Sequence, residues 1–176
     1  MNKWLVPLTQ ASLVVGRKTE ERKSLKTNSP ELDLYEYFSG STKAWGLFED
    51  RFGRVRRQFH VEIEGTVDKG VLVLVENFLY DDGERDQRVW RIRRDGPGGY
   101  VGRAADVVGD AHGSAAGNML NWRYYMDLRI GKKTLRVSFN DWMYLQTDDV
   151  LINRAKVRKF GIEVGSVSLF FKKQTL

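Results

Sequence analysis

The chain has 176 residues, 41% hydrophobic, 30% charged and 12% aromatic, which suits one domain with a sizeable core and excludes a disordered chain. With no cysteine it has no disulfide, thiolate metal site or cysteine nucleophile, and its two imidazoles, His60 and His112, lack metal-ligand spacing. The net charge of +6 does not mark a nucleic-acid binder: residues 1–30 hold six Lys/Arg against two Glu, leaving the other 146 residues at +2.

The segment Trp4 to Gly16 is mildly apolar, follows Lys3 and runs into the charged stretch Arg17 to Lys23. It is too short to span a bilayer, and Pro7, Thr9 and Gln10 interrupt it. Residues 1–29 therefore read as a basic segment outside the folded domain of 30–176. Three readings of it stand: a decayed export signal, an anchor in peripheral contact with a membrane, or an extension making few contacts with the rest. The last is the expectation for residues 1–25.

Ser29-Pro30-Glu31 carries a helix-start signal, with a capping hydroxyl, a proline in the first turn and an acid beside it. Leu32, Tyr35 and Phe38 follow at helical spacing and Gly40 supplies a stop, predicting a helix over 30–38. From Lys43 onward the pattern is strand after strand. Phe59, Val61 and Ile63 alternate with polar residues, Gly70 opens the run to Tyr80, and Asp81-Asp82-Gly83 is a hairpin turn signal. In 88–94, Trp90 and Ile92 alternate with Arg91 and Arg93, so the latter two form a solvated strand face and not a basic nucleic-acid patch. Residues 100–108 read as one strand and 109–117 as a small-residue loop. Trp122, Tyr124, Met126, Leu128 and Ile130 then share a face, and three further strands complete the chain. Some nine strands at about ten-residue spacing predict an antiparallel up-and-down meander of eight to ten strands, closed into a barrel because closure removes exposed edges.

The hairpin at 138–161 holds the sharpest chemical signal. Val137, Phe139, Asp141, Met143 and Leu145 share one face, and Asp141 is the odd member. A two-residue loop Thr147-Asp148 sets Asp141 opposite Arg154; a loop one residue longer sets Asp141 opposite Ala155 and Trp142 opposite Arg154. The cost of an unpaired interior carboxylate favours the first register, with Arg154 as the partner.

Leu34-x-x-Tyr37-Phe38-x-Gly40, followed by Ala44-Trp45-Gly46, looks like the opening of a lipocalin-type barrel, with Trp45 as a structural residue of the first strand. The series 104–109, Ala116-Gly117-Asn118, Trp122-Arg123-Tyr124, Asp141-Trp142-Met143-Tyr144, 150–154 and Phe160-Gly161 resembles a bacterial family catalogued as domain of unknown function three-eight-three-three. The resemblance covers about 30–176. It implies a calycin-like barrel, commonly an envelope lipoprotein, with no assigned activity. This chain carries no lipobox cysteine near its start, and Gly40 lies five residues before Trp45, unlike the lipocalin Gly-x-Trp spacing.

In such a barrel the Asp141–Arg154 pair is either a structural ion pair or a polar anchor for the head group of a fatty acid or other lipophilic ligand. Trp90, Trp122, Tyr124, Met126, Phe139 and Met143 supply an apolar lining, and Asp106 is a candidate second interior acid. The expectation is a non-enzymatic binder at the cell envelope. A filled structural barrel is the alternative, and an isomerase or lipid-modifying enzyme using Asp141 or Asp106 as acid/base the more remote one. No glycine-rich phosphate loop or nucleophile elbow is present, so no cofactor is expected.

Overall fold

The computed structural model of the chain describes residues 30–130 and 133–174, so the expectations for residues 1–29 lie outside the described residues. Ten strands follow one short helix, α1 (Leu34–Phe38): β1 (Gly40–Asp50), β2 (Val55–Asp68), β3 (Val71–Tyr80), β4 (Arg85–Arg94), β5 (Gly99–Arg103), β6 (Val107–Ala116), β7 (Met119–Ile130), β8 (Lys133–Leu145), β9 (Val150–Lys159) and β10 (Ile162–Lys173). Each strand pairs antiparallel with the next, and β1 also pairs with β10, so the sheet closes as the strand spacing predicts. Closure leaves no unpaired edge. Tight turns make the meander possible. The β2–β3 and β9–β10 connections are two residues long, Lys69-Gly70 and Phe160-Gly161, all four with positive φ, as the twist of a hairpin requires.

The helix starts later than its sequence signal. Asp33, not Ser29, caps it: its carboxylate accepts from the amides of Tyr35 (2.8 Å) and Glu36 (3.2 Å) and also holds Arg94 at 2.7 Å. Residues 30–33 are in no helix or strand, and the Leu32 amide donates to the Gly117 carbonyl at 2.8 Å. The helix lies across one end of the barrel. Leu34, Tyr37 and Phe38 are buried, the Tyr35 hydroxyl donates to the Gly70 and Ile92 carbonyls, and that of Tyr37 to the Asp149 carbonyl. This end carries the β2–β3, β4–β5, β6–β7 and β8–β9 turns. The opposite end carries the β1–β2, β3–β4, β5–β6 and β9–β10 turns, and no described element crosses it.

Two further sequence expectations are corrected. Residues 100–108 are not one strand: β5 stops at Arg103, and the supposed loop after Gly109 is strand β6. Gly113 on β6, with Gly102 on β5, admits the ring of Trp122; a Cβ on Gly102 would sit 2.7 Å from the indole. Packing thus overrides the poor strand propensity of a Gly/Ala/Ser run.

Trp45 stands on the first strand, on its outward face. It is 49% exposed on the outer wall, tilted against Phe170 at 6.2 Å, while its neighbour Ala44 is fully buried. The central hairpin takes the longer loop. Leu145 pairs with Leu151, the Gln146 amide donates to the Val150 carbonyl at 2.7 Å, and Asp148 and Asp149 both adopt positive φ. Asp is among the residues that tolerate that region. Asp141 therefore faces Ala155, Trp142 faces Arg154, and the Asp141–Arg154 pair does not exist. A one-residue slip turns the whole of β9 over: Leu151, Asn153, Ala155 and Val157 point inward, and Arg154 is exposed outside the barrel.

Candidate functional site

The barrel encloses a cavity of about 310 Å³. At its closed end Leu34, Phe38 and Phe171 form the floor, where Phe38 and Phe171 meet edge to face at 5.8 Å. Its walls are aromatic because β3, β4, β7 and β8 each aim an alternating set of large side chains inward. Trp90 contacts Trp122 (5.8 Å) and Tyr124 (5.5 Å) edge to face, and Tyr124 stacks on Phe139 at 5.0 Å with nearly parallel rings. Towards the other end the lining continues through Phe59, Phe78 and Tyr80. There Arg57 lies 3.5 Å over the Tyr80 ring and pairs with Asp82 and Glu84.

Two polar clusters break this apolar surface. In the first, Arg88 on β4 binds Asp106 in the β5–β6 turn, with Nη2 2.8 Å and Nε 2.9 Å from Oδ2, and lies 3.7 Å from Glu76 on β3. Burial works against the arginine's charge, but Glu76 and Asp106 outweigh it and raise its pKa. Burial pushes the Glu76 carboxyl up to about 7 against the pull of Arg88. The cluster thus holds one fixed cation between an acid at full ion-pair distance and a second acid that titrates near neutrality.

The second cluster lies where β7, β8 and β9 meet. Asp141 is 5% exposed and Asn153 2% exposed, both on the cavity wall. The Tyr124 hydroxyl donates to Asp141 Oδ2 over a long 3.4 Å, while Asp141 Oδ1 and Asn153 Oδ1 have no hydrogen-bond partner. Burial pushes Asp141 up to about 7, opposed by the polar side chains of Asn153 and Tyr124. Burial also raises Tyr124 well above the usual phenol range, so its hydroxyl is a donor at any ordinary pH. With Asp141 ionised, two orphaned acceptors on one apolar wall are costly, and a donor-bearing molecule would relieve them.

The structure brings Trp90, Trp122, Tyr124, Met126, Phe139, Asp141 and Met143 to the cavity. Asp106 lies outside its wall and reaches it only through Arg88, and Arg154 is on the far side of the sheet. Glu76, Arg88 and Asn153 were missed. Alternation could have found the first two: Glu76 shares a face with Leu72, Leu74 and Phe78, and Arg88 with Trp90 and Ile92. Among the described residues no cluster of His, Asp and Glu is arranged to hold a metal ion.

A family profile described as "Protein of unknown function (DUF3833)" matches residues 11–173. No curated protein matches the sequence. Among solved structures the barrel is similar to an S-type phycobiliprotein lyase, CPES, from Guillardia theta, with a TM-score of 0.56 and 7% identity over 81% of this chain and 92% of that one. At that identity the likeness concerns the fold alone.

Proposed function

This chain belongs to the family of proteins of unknown function DUF3833, and for it we propose a non-enzymatic role: the barrel binds a lipophilic small molecule that carries a hydrogen-bond donor, at the cell envelope. The observation that carries this reading is the pair of unpartnered acceptors, Asp141 Oδ1 and Asn153 Oδ1, set in a cavity of about 310 Å³ whose other walls are aromatic and aliphatic. Small-molecule sites have this character, a mostly apolar lining with a few placed polar groups, at volumes from about 300 Å³ upward. A cavity of this size, left by the protein's own side chains, also weighs against a filled barrel with a purely structural role.

The polar anchor differs from the arginine expected from the sequence. With Arg154 outside, the deep polar group is an acid, a carboxamide and a phenol. That set suits a hydroxyl or an amine on an apolar skeleton better than a free carboxylate, which Asp141 would repel in its charged form. Arg88 does not substitute as an anion anchor, because Asp106 and Glu76 already hold it.

The test is binding of matched probes to the full chain, followed through the fluorescence of Trp90 and Trp122. A long-chain alcohol is expected to quench or shift that emission, and the fatty acid of the same length to bind more weakly at pH 8. Asn153→Leu is expected to weaken the alcohol and leave the corresponding alkane unchanged. Native mass spectrometry of protein purified from its own host is expected to show a copurifying apolar molecule. Alcohol and alkane binding equally to wild type and Asn153→Leu would remove the anchor. No saturable binding by either, with no copurifying molecule, would remove the role itself.

A second reading draws on the placement of two carboxyls, Glu76 and Asp141, on the cavity wall, where burial pushes each up to about 7. Groups with such values are suited to proton transfer, and a bound ligand chemically altered on recovery would favour that reading.

A further inference from the structure

Besides Trp45, Ile152 and Phe170 on the outer wall and the separate Val67 and Tyr125, the barrel leaves a group of large apolar side chains exposed at one end. Phe52 (70% exposed) and Phe160 (93%) stand in the β1–β2 and β9–β10 turns, and Val55 (49%) and Ile162 (63%) open the strands that follow them. These turns are neighbours, because β1 pairs with β10: Asp50 lies opposite Gly165, and the Arg51 amide donates to the Val164 carbonyl at 3.1 Å. Both lie at the end opposite α1, where the cavity lining runs out through Phe48, Arg57 and Tyr80. Phe160 is notable in its own right. It sits at the tip of a two-residue turn with φ +50, a region bulky side chains rarely adopt. Folding gains nothing from an almost wholly solvated phenyl ring there, and Asn or Gly would make the turn more easily.

Cations surround these side chains. Arg51 lies 4.7 Å over the Phe52 ring and Lys159 is 5.3 Å from that of Phe160. Arg51, Arg54, Arg158 and Lys159 form no ion pair among the described residues. Across the same rim, the β3–β4 turn has the opposite sign, with Asp81, Asp82, Glu84 and Asp86 against Arg85. The rim is therefore polarised, one side apolar and basic, the other acidic. The outer wall has exposed apolar side chains of its own, Trp45, Phe170 and Ile152 side by side across β1, β10 and β9, but no large apolar side chain there is as exposed as Phe52 or Phe160, and Lys43 is paired with Glu62.

We infer that the β1–β2 and β9–β10 turns are a docking surface for an anionic phospholipid bilayer. Phe52, Phe160 and Ile162 enter the interface, and Arg51, Arg54, Arg158 and Lys159 lie at the level of the phosphates. Exposed aromatic and aliphatic side chains with a collar of Arg and Lys are what an interfacial contact requires, the apolar burial supplying affinity and the cations selecting for anionic lipid. The acidic β3–β4 turn faces away, so the barrel sits tilted with its cavity's unplugged end beside the membrane. This inference goes beyond ligand binding and stands whether or not the cavity is filled.

The experiment uses the full chain with vesicles of pure phosphatidylcholine and of phosphatidylcholine containing about 30 mol% phosphatidylglycerol. Sedimentation is expected to show binding to the second and little to the first, weakening as salt rises. Phe52→Ser with Phe160→Asn, the latter tolerant of positive φ, is expected to weaken binding about tenfold or more. Because the chain has no cysteine, Ile162→Cys and Val67→Cys each give a single labelling site, the second at the α1 end. An environment-sensitive label should shift to the blue at 162 on adding anionic vesicles and stay unchanged at 67. Binding that the double variant leaves intact would assign membrane contact to another part of the chain and overturn the inference, as would a shift at 67 and not at 162. A lipid-free dimer abolished by the same double variant would assign the patch to a second copy, with the same consequence.

Discussion

Arg88 and Asp106 are joined by two contacts to one carboxylate oxygen, from Nη2 at 2.8 Å and from Nε at 2.9 Å, which ties the inner face of β4 to the β5–β6 turn. The same guanidinium lies 5.3 Å from the Phe78 ring and donates to the Met126 sulfur at 3.6 Å, so it is fixed from four sides. Removing it strands Asp106 and leaves Glu76 without its cation. Arg88→Met is expected to destabilise by about 2–4 kcal/mol in chemical denaturation, less than the loss of a fully buried pair because the cavity keeps the site partly wet. Adding Glu76→Gln should recover part of the loss. A single-variant loss below about 0.5 kcal/mol would mean that solvent screens the cluster.

Arg154 provides the contrasting case. It lies on the outer face of β9 opposite Trp142, exposed and with no acid in reach. Arg154→Ala is accordingly expected to change stability by less than about 1 kcal/mol and to leave ligand binding untouched. A loss of several kcal/mol would indicate that the hairpin takes the shorter loop after all.

The difference between these two arginines shows where the sequence was legible. The barrel could be read because regular strand spacing and polar turns are local signals, and the inward face of β8, Val137 through Leu145, because alternation alone determines it. The register of β9 depended on one turn, and weighing a single carboxylate misled. The shorter loop would also have turned Lys156 and Arg158 inward with Arg154, and three buried cations cost more than one buried acid. The exchange of Leu151, Asn153, Ala155 and Val157 for that basic face was the stronger argument. Arg88 and Glu76 were equally accessible, each two residues from an inward aromatic. Strand β6 was not. Its Gly113 makes sense only once Trp122, on the next strand, needs the space, and no local pattern carries that information.

That packing can be tested directly. A Cβ at Gly113 would meet the six-membered ring of Trp122, which is 4% exposed and wedged against Trp90 with no room to retreat. Gly113→Ala is therefore expected to cost about 1–3 kcal/mol, the usual penalty of an overfilled core, although alanine is a better strand former than glycine. Combining it with Trp122→Leu should cost less than the two single changes added together. Simple additivity in thermal melts would show that the two positions do not touch.

Asp141 gives a pH signature opposite to that of an ordinary surface carboxylate. Its pKa is 3.8 in an unstructured chain and about 7 in the barrel, raised chiefly by burial. Between those values the folded protein holds a proton that the unfolded chain has lost, so raising the pH favours unfolding. The group's contribution is fully favourable below about pH 4, declines through the interval and levels off once the folded form ionises above about pH 7. Glu76, raised to about 7 from 4.5, adds a slope of the same sign. Asp141→Asn cannot ionise, so it removes its share of the slope. The variant is expected to match wild type within about 1 kcal/mol at pH 4 and to be more stable by about 1 kcal/mol or more at pH 8, the gain developing between those limits. Urea unfolding at a series of pH values measures this. If a hydroxyl-bearing ligand is added, wild type should recover part of the deficit at pH 8, because a donor on Asp141 Oδ1 stabilises the carboxylate; the Asn variant should gain less. A wild-type stability that rises between pH 4 and 7, with the Asn variant below it at pH 8, would mean that Asp141 is charged and well paired, and the orphaned acceptor on which the ligand reading rests would not exist.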